Sequence, residues 1–457
     1  MLTARDRLDT APVSRFQIRV LGICILINMA EGYDLLSMTL AVIPLADQWS
    51  LSGTQIGFLL AIGPVGMAIG ALLLAPLSDR FGRRPLLLLS LVVIAVFLLA
   101  SAAASGPTDL AIYRLLAGIG MGSILPVLPI VVGEYSPARR RSAALGVLSI
   151  GLPLGSTVGG AAAGALMAAT GWASAFVLGA VLTAAVAVLV AVGIPETPDF
   201  LASRNTAETQ RRLARLLDRI ESSPVVRVAN RDVSNSRSVV ASAPVVTIAL
   251  RSPRMVAVVL MFLFAVSSYY FSTMWLPKLL VNAGMSSSGG INGVLLLSLG
   301  ATLAGGVIVL LSSRFSTFAL AIGFSIGSAV MMVAFSAAST SLTMSLLLAP
   351  VLGLCQCAVI VCVYSLGVVL FAPAVRTTAM GLGIGVGRVG IIVMPLAVGV
   401  LVDWSWPSAA IFQIMAIPAI VTAVLVAYLS RTTRGSSTAE GSARSSVAAD
   451  GSGELDA

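Results

Sequence analysis

Two carboxylates, Glu31 and Asp34, stand inside the apolar run Arg19 to Pro44, RVLGICILINMAEGYDLLSMTLAVIP. Three residues apart, they share one face of a helix. The run is long enough to cross a bilayer, which takes about 20 apolar residues. An ionised carboxylate in lipid costs at least a few kcal/mol, so the pair must face a protein interior or a water-filled cavity. Carboxylates this close in a low dielectric resist being ionised together, so one of them can hold a proton near neutral pH. That is proton-carrying chemistry, and with no histidine in the chain carboxylates are the natural groups to perform it.

Two arginines offer the complementary charge. Arg114 lies five residues past Asp109, about 8 Å along its span at the helical rise. Asp34 lies about ten residues, or about 15 Å, from the same end of its own span, so the two side chains can meet in one half of the membrane. Glu31 is one turn deeper. Arg388 lies about 18 Å along its span from Arg376, also near the midplane. That is too deep to snorkel comfortably, and it demands an anion inside the protein. The flanking Gly381, Gly383, Gly385, Gly387 and Gly390 allow another helix or a ligand to approach closely. A guanidinium binds a carboxylate through two parallel hydrogen bonds, so Arg388 fits a carrier of organic anions. A permanent salt bridge from Arg388 to Glu31 or Asp34 is the structural alternative, and a purely structural acid pair with Arg114 is the alternative for the carboxylates. Tyr269, Tyr270, Phe271 and Trp275 make one span rich in aromatics that could stack on a ring. Trp275 is expected at the outer interface, where aromatics are common. Gln356, Tyr364 and Asn28 are further polar candidates.

The elements that hold these residues follow from composition. Of 457 residues, 58% are hydrophobic and 10% charged, a balance that no soluble fold needs. Apolar runs near 18–43, 55–77, 85–104, 109–133, 143–168, 172–193, 254–277, 289–312, 317–338, 342–370, 378–402 and 408–430 give about twelve spans. The chain therefore reads as an all-α polytopic membrane protein. Its expected divisions are residues 1–194, a central loop at 195–252, residues 253–430 and a disordered tail at 431–457. With both termini in the cytoplasm, all but Arg114, Lys278 and Arg388 of the 28 basic residues fall on the inner side, and Lys278 alone on an outer loop. This charge distribution, not nucleic-acid binding, accounts for the basic balance. In the central loop, NTAETQRRLARLLDRI places Leu213, Leu216, Leu217 and Ile220 on one helical face, with Asn205 and Glu208 as possible caps. A helix on the inner membrane surface and a solvated linker helix both fit. Cys24, Cys355, Cys357 and Cys362 lie within spans, so neither a disulfide framework nor a metal site is expected. The first apolar run is too long for a cleavable signal peptide.

Ala75 to Pro85, APLSDRFGRRP, is a short turn that forces its two spans into an antiparallel pair. Asp79 could cap a helix there and Gly82 permits the turn. Ser312-Ser313-Arg314-Phe315 matches Ser78-Asp79-Arg80-Phe81 at the equivalent place in the second half, which marks two degenerate copies of a six-helix unit. Six plus six spans with this loop resemble the major facilitator superfamily, although Ala75 stands where that family usually has Gly. Arg114-Leu-Leu-Ala-Gly118-Ile-Gly120-Met-Gly122, Glu134-Tyr-Ser-Pro137-Ala-Arg-Arg-Arg141 and Pro195-Glu196-Thr197-Pro198 resemble further signatures of it. Glu31-Gly32-Tyr33-Asp34, Trp275-Leu276-Pro277 and Gly385-Val-Gly387-Arg388-Val-Gly390 with Pro395 resemble its aromatic acid:proton symporters, which usually carry Asp where this chain has Glu31.

The resemblance implies two six-helix bundles in the plasma membrane, a monomer, and import of a small aromatic carboxylate with protons by alternating access. Glu31 and Asp34 would couple protons, while Arg388, Arg114, Tyr269, Tyr270, Gln356, Tyr364 and Asn28 would bind substrate. Asp79, Arg80, Arg83, Arg84, Glu134, Arg140, Arg141 and Glu196 would form a gating network at the inner ends. The partners are then an organic anion, protons and lipid, with no cofactor and no enzymatic chemistry. The alternatives are a proton-coupled exporter of drugs or metabolites, a carrier of another organic anion or a sugar, and a membrane sensor that does not transport.

Overall fold

A computed structural model describes residues 8–9, 13–204, 206–221, 252–338, 341–371 and 373–450. Among the described residues twelve helices are long and apolar enough to cross a membrane, so the chain is a multi-pass membrane protein. They are α1 (Arg15–Gln48), α2 (Gly53–Leu73), α3 (Arg83–Ala102), α4 (Pro107–Tyr135), α5 (Arg141–Thr170), α6 (Ala173–Gly193), α7 (Pro253–Asn282), α8 (Ser287–Ser312), α9 (Thr317–Ala338), α10 (Leu342–Leu370), α11 (Pro373–Asp403) and α12 (Ser408–Asp450).

Serine caps start several of them. Ser14 and Ser52 each accept from a glutamine amide three residues on, and that glutamine reaches back to the cap, closing a capping box at α1 and at α2. Ser252 and Ser286 cap α7 and α8 in the same way without the reciprocal bond. The caps thus repeat six helices later. So does the packing: α1–α5, α2–α4, α3–α4, α3–α6 and α1–α6 in the first half correspond to α7–α11, α8–α10, α9–α10, α9–α12 and α7–α12 in the second. Helices α3, α6, α9 and α12 turn apolar side chains outward, among them Leu89, Val96, Val181, Val188, Val330 and Val424. In a membrane that surface meets lipid. The halves touch through α2–α11, α5–α8 and α1–α7, which places α1, α2, α4, α5 and their counterparts around the interior.

One expectation needs correction. The leucine face of the linker helix Ala207–Glu221 meets neither membrane nor water: Leu213, Leu216, Leu217 and Ile220 are buried in the core cluster that contains Leu8 and Phe16. Arg219 lies over the Phe16 ring, 4.9 Å from its centre. A helix with one apolar stripe buries it against whatever apolar surface is near, and the first turn of α1 supplies one. Asn205 lies outside the described residues. Helix α12 runs on from Ser408 to Asp450.

Candidate functional site

Asp34 and Arg114 form a two-point pair. Arg114 Nη1 donates to Asp34 Oδ1 at 2.6 Å and Nη2 to Oδ2 at 2.9 Å, with both residues buried. The guanidinium also lies 5.7 Å from the centre of the Phe176 ring on α6. The glycines of the run Ala117-Gly-Ile-Gly-Met-Gly122 bring it there. A Cβ at Gly118 would stand 2.3 Å from the Gly63 carbonyl oxygen, so α4 lies backbone to backbone on α2, one turn from Arg114. A narrow cleft beside the pair is lined also by Met38, Met67, Met121 and Met274.

One turn deeper on α1 the situation reverses. Glu31 is 5% exposed, yet neither carboxylate oxygen has a hydrogen-bond partner among the described residues. It borders a second, small cavity with Met121, Ile124 and Thr183. Arg388 on α11 lies within electrostatic reach of Glu31, and Tyr270 on α7 within reach of both. Tyr364 on α10 also feels Arg388. Arg388 Nη1 is itself buried without a partner. Four helices from the two halves thus bring an acid, a base and two phenols together, and no salt bridge joins Glu31 to Arg388 among the described residues.

The other candidates divide. Tyr269 and Tyr270 pack edge to face with ring centres 5.3 Å apart, and Tyr364 packs likewise on Phe262 at 5.2 Å. Asn28 is a pin between helices: its Nδ2 donates to the Leu148 carbonyl of α5 at 2.7 Å. Gln356 also pins, donating from Nε2 to the Ser268 carbonyl at 3.1 Å and to Ser272 Oγ at 2.8 Å, which leaves Oε1 buried without a partner. Trp275, expected at the outer interface, is fully buried, because α7 runs on to Asn282 and keeps it inside. Lys278 is in that same helix and not in a loop, 3.4 Å from Asp47 at the end of α1.

At the arginine-rich face the charges meet one another. Arg83 reaches Asp79 at 3.0 Å and Glu134 at 3.4 Å. Glu196 Oε1 accepts from the backbone N–H of Arg83 at 2.9 Å and of Arg84 at 3.3 Å, and so caps α3. Asp79, expected as a cap, sits in the short helix Leu77–Phe81 with its side chain exposed, because Gly82 at φ 107° turns the chain toward Glu196 instead. Arg84 donates to the Ala191 carbonyl, Arg204 to that of Arg80, and Arg141 pairs with Asp9 at 3.0 Å. Arg140 is exposed. These partners all belong to the first half and its linker.

Sequence reasoning passed over the opposite ends of the helices. There Asp403, the last residue of α11, accepts from the N–H groups of Gly53 at 2.5 Å and Thr54 at 2.8 Å, and from the Thr54 hydroxyl. An acid at the end of one span and a Ser-Gly-Thr start of another were visible, but no local pattern connects positions 350 residues apart.

The family model described as Major Facilitator Superfamily matches residues 21–349. The chain is 28% identical over 433 residues to a gallate transporter of Pseudomonas putida, covering 93% of this chain and 94% of that one. It is 27% identical over 434 residues to the 4-hydroxybenzoate transporter PcaK of Acinetobacter baylyi, covering 93% of each. Among solved structures, the inward open xylose transporter XylE from E. coli shares the fold with a TM-score of 0.67 at 16% identity, over 90% of this chain and 95% of that one.

Proposed function

The chain belongs to the major facilitator superfamily and is therefore a transporter and not an enzyme, and from that premise we propose that it imports small aromatic carboxylates together with protons. The relatives named for gallate and 4-hydroxybenzoate support the substrate class. One observation carries the mechanism: Glu31 and Arg388, from opposite halves, are close enough to interact, and each keeps a buried polar atom without a partner.

Arg388 is the anchor for the substrate carboxylate, with Tyr270 and Tyr364 flanking the ring. Glu31 is the proton site. Ionised, it balances Arg388 in the empty carrier. A substrate anion on the same guanidinium would leave two negative charges around one positive one, so Glu31 takes a proton as substrate binds. The loaded and empty carriers then hold the same net charge, and both can reorient. Asp34 and Arg114 hold α1 on α4 beside this centre. By the positive-inside rule the arginine-rich face is cytoplasmic, with both termini inside. The charges around Arg83 and Glu134 act as a gate when that face closes.

Purified protein in proteoliposomes should accumulate labelled 4-hydroxybenzoate or gallate when the outside is made acidic, and unlabelled benzoates should compete. Accumulation that ignores the imposed pH gradient would reject the proton coupling. An unlabelled panel that fails to compete would reject the substrate class.

A further inference from the structure

Asp403 closes α11 with a negative charge at the negative end of its own helix, an unfavourable place for a carboxylate. It is instead seated on the positive end of α2, in the other half of the molecule. Ser52 satisfies only the amide of Gln55 there, so the first two amides of α2 depend on Asp403. The backbones beneath leave no slack. A Cβ at Gly57 would stand 2.3 Å from the Pro395 carbonyl oxygen, and one at Gly399 would stand 2.4 Å from that of Gly53. Beside this, Lys278 of α7 reaches Asp47 of α1 at 3.4 Å, again across the halves and at the same end. Toward the middle of the helices, Thr157 of α5 and Thr302 of α8 touch through their hydroxyls at 3.2 Å.

We propose that Asp403 on the α2 N-terminus and Lys278 on Asp47 form a two-bolt latch that holds the outer mouth of the carrier shut. The latch sits above the cleft lined by Met38, nine residues along α1 from Asp47, about 13 Å deeper. Opening the mouth separates α2 from α11 and α1 from α7, which strands two amides and two charges together. Water then solvates them, so the latch resists opening without forbidding it. Its role is to set the resting population of outward-closed carrier. The inference uses the orientation proposed above but not the identity of the substrate.

The test is labelling of Met38→Cys by a membrane-impermeant maleimide added outside, in a chain whose four native cysteines are replaced by alanine. Asp403→Asn and, separately, Asp47→Lys should each speed labelling several-fold without substrate. Gly57→Ala, which crowds the closed mouth, should do the same. Adding Lys278→Asp to Asp47→Lys exchanges the charges and should return labelling toward the parent rate, an outcome that misfolding would not produce. Unchanged outside labelling in Asp403→Asn and Gly57→Ala, or faster labelling from the cytoplasmic side alone, would overturn the latch.

Discussion

One turn of α1 separates two acids with opposite fates. Asp34 is closed on Arg114 by two short hydrogen bonds, and both partners belong to the first half. Glu31 faces Arg388 from the second half, and the two are near without being joined. The chemistry of the groups is the same; the difference is whether the partners travel together. A pair carried on α1 and α4, which pack side by side with α2 and α5, can stay closed through any motion of one half against the other. A pair divided between halves must loosen when the halves move, and its open valences are where a substrate and a proton can enter. A buried ion pair therefore says little about function until its two helices are assigned to moving parts.

The largest effect should come from breaking the closed pair. Arg114→Ala leaves Asp34 buried without its partner, and breaking a buried pair by removing one member costs about 3–5 kcal/mol. Little folded protein should reach the membrane, as fluorescence-detected size exclusion would show. Normal yield together with normal exchange would mean that the pair is dispensable and that the contrast drawn here is wrong.

The middle-sized effect belongs to the open pair. Arg388→Lys keeps the charge and loses the fork, removing one charge-assisted hydrogen bond to a carboxylate, about 1.5–3 kcal/mol. Half-saturation for uptake should therefore rise by about 10- to 100-fold, while thermal stability in detergent stays within about 0.5 kcal/mol of the parent. Parent-like affinity would remove Arg388 from the substrate site.

How much of this was readable without coordinates depends on the kind of information. Depth along a span is arithmetic, so Asp34 and Arg114 can be set at one level from residue counts alone. The repeat, the twelve spans and the serine at the start of α2 are likewise local patterns. Rotation about a helix axis is not, because these spans are apolar all round and carry little asymmetry to orient them. That is why residue counts alone do not show that Asn28 and Gln356 point at neighbouring helices or that Trp275 is buried. Long-range caps are less readable still. Asp403 and Glu196 each satisfy amides of a distant helix, and only the folded chain brings them there.

The smallest effect on exchange, and the sharpest on coupling, should come from Glu31→Gln. Glutamine is nearly isosteric with the protonated acid and cannot ionise, so it holds the site in its proton-loaded form. It breaks no hydrogen bond, because neither Glu31 oxygen has a hydrogen-bond partner among the described residues. Arg388 then lacks its counter-charge only in the empty carrier. Substrate exchange needs only the loaded form, and so should run near the parent rate. Net accumulation requires the empty carrier to return without its proton, and should vanish whatever pH gradient is imposed. Counterflow and gradient-driven uptake, measured on the same proteoliposomes, separate the two. Asp34→Asn supplies the contrast, because it strands Arg114 and should damage both activities together. If Glu31→Gln still concentrates substrate against its gradient, the proton rides on another group, and Asp34 becomes the residue to test next.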